Sequence, residues 1–367
     1  MIQKNREMEK LTAERENELK DFVEGGDSSR IQHSIEFKRA LEKTYGNCRG
    51  KYYILSKNGR IEALFPFFIV KSGLFGNRMI SVPFLDVGGF LGDYDESDIA
   101  ELIGAIKKDC GKKLKHIEIR TNSLMPDFEK NRKILADLGF SEDSGRQQMI
   151  IELTGEEDLW KRFHKHTRNE IRKAEGSGLK INPIENENEI KGFYGLYSRE
   201  MRNFGTPQHS LKFFRNIFSA MREKSAGFNC YHEGKLIASL ILFFQNRHAY
   251  VAFNVSEPKF RIFKPNDLLY WTAIKFCMHK GAKYLDIGQI EQNVSKDSKA
   301  YSLYKFKKKW LGREYARSYF YLSMKEGEKE SARENMEKYK RFRALWKKLP
   351  AFAVKIIGPR ICAQLGV

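Results

Sequence analysis

The sequence predicts an α/β protein built from two similar halves. Three observations carry that prediction. The order strand, hairpin, helix, strand occurs over residues 52–119 and again over 228–287. The spacing inside it repeats as well, since Ile106 to Glu118 and Ile274 to Asp286 are each 12 residues apart. Each interval starts in an Ala-Ile-Lys triplet and ends on a carboxylate flanked by branched apolar residues. Finally, a chain of 367 residues with 41% hydrophobic residues is long for one domain and can fill two cores. Duplication of one module accounts for all three; chance similarity of two common patterns is the competing account.

The elements follow in order. Residues 1–30 are crowded with Lys, Arg and Glu, which predicts a charged segment, solvated helix or disordered chain, with ordered structure beginning near Ile31. That crowding also excludes a secretory signal peptide at this end. Residues 52–55 and 61–70 flank Asn58-Gly59, the strongest local signal for a hairpin, and Pro66 marks an edge or bulge in the second strand. Residues 81–90 hold paired glycines, Gly88 and Gly89, suited to close backbone approach. Helices are expected over 98–110 and 131–138, the second ended by Gly139, with strands over 116–120 and 147–153. The second half repeats the pattern with strands at 228–231 and 236–244 around Gly234. The expected domains are 31–155 and 156–323, followed by a basic tail over 324–367.

Between the halves, residues 160–174 (WKRFHKHTRNEIRKA) are expected to form one helix. Trp160, Phe163, Thr167, Ile171 and Ala174 would then share a face, with Lys161, Lys165, Arg168 and Arg172 in a stripe beside it. That stripe is a candidate site for a polyanion, or a solvated face of a linker helix. The tail over 338–350 mixes Lys and Arg with Phe342 and Trp346, and Phe352 follows. Such a segment either lies on anionic lipid or packs back on the domain.

Composition narrows the partners. Sixty-six Lys plus Arg against 47 Asp plus Glu give a formal charge of +19, which favours a polyanion: nucleic acid, an anionic membrane surface or phosphorylated substrate. The 5 cysteines are scattered without a CxxC pair, which argues for reduced thiols in the cytoplasm and against a zinc site. The longest apolar run, 236–244, is far short of the ~20 residues needed to span a bilayer. Walker A, dinucleotide and HExxH motifs are absent. His164 and His166 are two apart on a helix and point away from each other, so no metal site is expected. Residues 173–178 (KAEGSG) imitate a coenzyme A pyrophosphate loop. That loop needs a strand before it and a helix after it, and here the order is reversed, so Gly176 and Gly178 read as a helix stop.

The densest stretch is 260–312. Asn266 and Asp267 follow a proline and start an apolar helix over about 268–278, ended by Gly281. A short buried strand over 284–287 stops at Gly288, and an extended segment over 304–310 then interleaves aromatics with lysines. A cationic cluster after a buried helix–strand unit can hold an anion or polarise a carbonyl.

The run Lys264-Pro-Asn-Asp-Leu-Leu269, then Ala273-Ile274, Gly281, Asp286-Ile-Gly288, Phe306-Lys307 and Gly312 resembles the FemAB-like branch of the GNAT-fold acyltransferases. The resemblance implies tandem GNAT-like domains, each a mixed sheet flanked by helices. It implies transfer of an aminoacyl or acyl group to an amine of a cell-envelope precursor, without a tightly bound cofactor. The donor would be aminoacyl-tRNA or, in the alternative, acyl-CoA acting on an amino sugar or peptide. A third reading is a non-enzymatic module for tRNA or anionic lipid. The expected place is the cytoplasm, at the inner face of the membrane. Lys307 matches the family's Phe-Lys motif and is expected to bind phosphate or polarise the carbonyl. The family usually has Phe-Gly shortly afterwards, whereas this chain has Trp310-Leu-Gly312 after an inserted residue. Lys305 and Lys308 therefore stand as alternatives. Phe306 and Tyr304 are expected beside the substrate. Asp286 and Asp86 would orient the amine or serve as structural carboxylates. Arg199 and Arg202, in a family-like stretch over 197–207, are expected anion ligands.

Overall fold

The computed structural model describes residues 6–291, 295–324 and 342–366. The chain divides into two compact units, residues 1–146 with 316–332 and 363–367, and residues 147–315 with 333–362. The division falls at 146/147 rather than near 155, and the end of the second expected domain belongs to the first unit.

The first unit begins with β1 (Arg6–Lys10), α1 (Glu16–Gly25), α2 (Ile35–Thr44) and β2 (Cys48–Gly50). Ordered structure is therefore already present over 6–25, ahead of the expected Ile31. The charged residues are matched in pairs: the Arg6 guanidinium meets Asp98 at 3.1 Å, Glu62 at 3.0 Å and also Asp93. Charge density alone misreads such a segment, because partners distant in sequence neutralise it. The hairpin β3 (Tyr53–Lys57) and β4 (Arg60–Phe65) turns at Asn58-Gly59, both with positive φ. With β1 and β7 (Leu91–Gly92) it makes a four-stranded sheet, in the order β1-β3-β4-β7. Beyond Pro66 come β5 (Phe68–Val70), β6 (Asn77–Ile80), α3 (Glu96–Cys110), β8 (Leu114–Asn122) and α4 (Phe128–Asp137). β6 and β8 are parallel, joined by a crossover that includes α3. The strand that follows, β9 (Ser141–Glu152), leads towards the second unit.

The second unit runs through α5 (Glu156–Arg162), α6 (Lys165–Glu175), β10 (Lys180–Pro183), α7 (Glu187–Phe204) and α8 (Leu211–Ala220). An antiparallel meander follows, β11 (Ser225–His232), β12 (Lys235–Gln245) and β13 (His248–Ser256), with β10 on its edge. β12 is buried along most of its length, as an apolar run interrupted only by Ser239 requires of a central strand. α9 (Pro265–His279) crosses to β14 (Tyr284–Glu291), parallel to β13. β6–α3–β8 and β13–α9–β14 are thus topologically equivalent, the equivalence that the repeated 12-residue interval predicts. α10 (Lys299–Lys308) and β15 (Arg313–Ser323) follow. From Arg317 onward β15 pairs antiparallel with β8 and puts Phe320 into the first unit's core. A strand contributed from so far along the chain leaves no local signature, which is why a boundary at 323 overshoots.

In the tail, residues 342–348 are helical and α11 (Ala351–Leu365) follows. Trp346 is 2% exposed and stacks on Phe342 at 5.4 Å. Arg343 donates to the Phe204 carbonyl at 2.8 Å, Arg202 to that of Leu349 at 3.1 Å and Gln208 to that of Val354 at 2.9 Å. The described tail packs on the second unit through residue 362, residues 363–366 belong to the first, and residues 325–341 lie outside the described residues. Leu345, Ile356 and Ile357 stay exposed. No helix among the described residues is long and apolar enough to cross a membrane.

Candidate functional site

The site is built on β13, α9 and β14. α9 is apolar on nearly every side, so both of its faces bury against protein, with Leu269, Ala273, Ile274 and Cys277 fully enclosed. β13 and β14 are paired at His248 with Tyr284, Ala249 with Leu285 and Tyr250 with Asp286, the end of the described pairing. Both strands continue beyond that point, so their carboxyl ends part, and in open α/β sheets ligands enter at such places. β14 also runs through Gly288 to Glu291 rather than stopping at Gly288.

Asp286 stands at the last paired position and is buried. Its carboxylate accepts from the Gly288 N–H at 2.7 Å and from Gln148 Nε2 at 2.8 and 2.9 Å. Gln148, on β9, is fully buried, and its Oε1 has no partner among the described residues. Lys307 comes from α10, is buried, and donates from Nζ to the Gln289 carbonyl at 2.9 Å. Gly288 has φ +86°, and a Cβ there would lie 3.1 Å from Lys307 Nζ. Glycine therefore serves twice at this position, for its backbone and for the space the ammonium fills.

The segment carrying Lys307 is a helix, not the extended chain expected over 304–310. Successive side chains are turned about 100° on a helix, so Lys307 is buried while Lys305 and Lys308 on either side are exposed. Lys305 is exposed over the Tyr301 ring, and Lys308 meets Glu314 at 2.9 Å. Tyr304 bonds Glu314 through its hydroxyl at 3.2 Å. Phe306 packs edge-on against Tyr270 at 5.0 Å, so it supports the helix from within the core instead of facing a substrate.

Sequence reading missed Lys309. Its Nζ meets Glu170 at 2.8 Å and also Asp267, while Lys264 bonds Glu170 at 2.5 Å. Burial alone would raise Glu170, but its bonds to the two ammonium groups hold it at about 2. This cluster fastens α6 and α10 to the start of α9. Its members are spread over well more than 100 residues, so no local pattern could have shown it.

The remaining expected ligands are placed differently. Residues 160–174 form two helices, broken at Phe163-His164, whose ψ angles of 137° and 146° are extended. Lys161 lies on α5 and pairs with Glu157 at 3.6 Å; the other three cations lie on α6. Arg168 donates to the Trp160 and Lys161 carbonyls at 3.2 Å, finishing α5, and Arg172 lies over the Trp160 ring at 5.5 Å. Lys165 is exposed and makes no bond among the described residues. The four-cation stripe is therefore not one surface, because the break turns the two helices out of phase. Arg199 bonds Glu257 at 2.8 Å, and Arg202 is spent on the Leu349 carbonyl. Asp86 belongs to the first unit, where it meets Arg317 at 3.1 Å, so it is not grouped with Asp286.

The strand–loop–helix context for a pyrophosphate loop exists at β13–α9, not at 173–178. Its backbone donors are largely spent. Ser256 N–H goes to Glu200 at 3.0 Å, Phe260 N–H to Glu257 O at 3.1 Å, and Lys264 N–H to Arg261 O at 3.1 Å.

A family model described as acetyltransferase (GNAT) domain matches residues 161–305, the stretch that holds β13, α9 and β14. The second unit carries a GNAT domain. Its tandem arrangement with a GNAT-like first unit has counterparts among solved structures. The FemX crystal structure has a TM-score of 0.70 at 16% identity, covering 92% of this chain and 100% of that one. A tandem GNAT protein from the clavulanic acid biosynthesis pathway has a TM-score of 0.58 at 10% identity, covering 88% and 100%. These likenesses concern the fold. By sequence, the chain is 33% identical over 78 residues to the lipid II:glycine glycyltransferase of Staphylococcus aureus. That match spans 21% of this chain and 18% of the relative. The FemAB-like resemblance drawn from 260–312 is thus met by a short sequence match to one such relative and by the fold of FemX, with the GNAT domain over 161–305.

Proposed function

We propose that the protein is an N-acyltransferase that moves an aminoacyl group from aminoacyl-tRNA to an amine of a cell-envelope precursor. The observation that carries this reading is the sequence match to lipid II:glycine glycyltransferase, a name that specifies both group and acceptor. The acceptor amine attacks the ester carbonyl, and a C–N bond forms as the carbonyl oxygen takes negative charge. The C–O bond to the ribose then breaks, and the amine's proton ends on the released hydroxyl. Lys307, buried near the parting strands, supplies positive charge where water cannot screen it, and so lowers the cost of the oxyanion. Asp286, held by Gln148 and Gly288, would orient the amine. The occupied backbone donors at β13–α9 favour a tRNA donor over acyl-CoA, whose pyrophosphate needs free N–H groups. The charge of +19 suits tRNA, and the exposed Leu345, Ile356 and Ile357 beside Lys347, Lys348 and Lys355 suit anionic lipid at the cytoplasmic face. The test is incubation with glycyl-tRNA and lipid II, and separately with acetyl-CoA and lipid II, read by mass spectrometry. Addition of a glycyl mass in the first mixture alone is expected. Acetyl transfer in the second would overturn the tRNA donor, and transfer in neither would overturn this acceptor.

A further inference from the structure

A cleft of about 250 Å³ opens in the first unit, lined by none of the residues assigned to acyl transfer. Its apolar wall is Phe90, Leu91, Tyr94, Met125 and Pro126. Its polar wall is built at the start of α4. Asp127 occupies the N-cap and Asn131 lies four residues on, so both side chains rise on one helix face. The Asn131 N–H bonds the Asp127 carbonyl at 2.8 Å, which ties the pair together.

Two features of that pair point to a ligand. Asn131 is 6% exposed, and its Nδ2 donates to the Tyr94 hydroxyl at 2.8 Å, yet its Oδ1 has no partner. A buried acceptor left open costs free energy unless something donates to it. The Asp127 carboxylate makes no hydrogen bond or ion pair among the described residues, in a chain of charge +19. A second carboxylate, Asp27, also lines the cleft. Burial first, and the Asp127 charge after it, push the Tyr94 phenol upward, so that ring stays neutral. Its π face already holds a cation, since Lys130 Nζ lies 5.1 Å from the Tyr94 centroid. The cleft thus offers acceptors and negative charge beside apolar side chains, and no cation is among its lining residues.

We propose that this cleft binds a primary alkylammonium carried on an apolar stem, as in a lysine side chain. Asp127 and Asn131 Oδ1 take its N–H groups, and Phe90, Tyr94 and Met125 cover the methylenes. The site is independent of the transfer reaction proposed for the second unit, so either can fail without the other.

The test is isothermal titration of the full chain with Nα-acetyl-L-lysine methylamide, its norleucine counterpart and n-pentylamine. The lysine derivative should bind saturably and the norleucine derivative at least about tenfold more weakly, a difference of ~1.4 kcal/mol. Comparable binding of pentylamine means the ammonium and its stem suffice; its failure beside a binding lysine derivative means the ligand is a peptide side chain. Both outcomes support the site. Asp127→Asn, which keeps shape, and Asn131→Leu should each weaken the lysine derivative about tenfold or more. Equal binding of lysine and norleucine derivatives, unchanged affinity in Asp127→Asn, or no saturable binding of the lysine derivative would overturn the proposal.

Discussion

Lys307→Met separates a catalytic ammonium from a structural one. Methionine keeps most of the buried stem and removes the charge together with its 2.9 Å bond to the Gln289 carbonyl. Loss of one such buried bond costs about 1–3 kcal/mol, which in a unit of this size lowers the melting temperature by about 2–4 °C per kcal/mol. If the ammonium also faces the developing oxyanion, turnover should fall about ten- to a thousandfold, the loss expected for one such donor. The controls are Lys305→Met and Lys308→Met. Their side chains are exposed, over Tyr301 and beside Glu314, so each should leave turnover within about twofold. The assay is initial-rate glycyl transfer to lipid II at saturating donor, with thermal unfolding measured on the same samples. A Lys307→Met variant that melts lower but turns over normally would refute the argument and make Lys307 a structural residue. Greater sensitivity at Lys305 or Lys308 would refute the register read from Phe306-Lys307.

Three further outcomes follow from the geometry. Burial raises Glu200 to about 7, so its folded value stands above the unfolded one. Ionising it therefore costs stability as pH rises from about 4.5 to 7, and Glu200→Gln should melt higher than the parent at pH 8 and equal to it near pH 4; a higher melting point at both pH values would contradict the titration. Truncation after residue 341 removes Trp346 and Val354 from buried positions. Loss of a large buried side chain costs about 3–5 kcal/mol, so the truncated chain should lose cooperative unfolding in calorimetry; a variant that stays folded and merely leaves anionic vesicles would mean the tail is a surface anchor. If tRNA uses α6, Lys165→Gln and Arg172→Gln should weaken binding and reduce its salt dependence by about one charge each, whereas Lys161→Gln on α5 should not; identical salt slopes in filter binding for all three would assign these cations to solvent.

The halves were legible because their signals are local. The 12-residue intervals, Asn58-Gly59, the apolar run of β12 and Gly139 with Gly281 at helix ends all act over one or two turns of chain. Periodicity and turn chemistry register the backbone there whatever surrounds it. The sequence also marked Lys307 and Asp286 through the motif that contains them. It misjudged residues 6–25, because Arg6 is neutralised by Asp93 and Asp98 about 90 residues away. It misjudged the 160–174 segment for the opposite reason: the apolar spacing continues through Phe163 while the backbone does not.

By itself, then, the sequence determined the class of fold and the repeated unit, since each depends on neighbours within a turn or a hairpin. Only the tertiary structure decided which cations are free. Arg168, Arg199 and Arg202 are spent on carbonyls or carboxylates, Lys309 is locked between Glu170 and Asp267, and Asp86 lies in a different unit from Asp286. A charge is available to a ligand only if no nearer partner has neutralised it, and nearness in space is set by packing between segments that the chain keeps far apart.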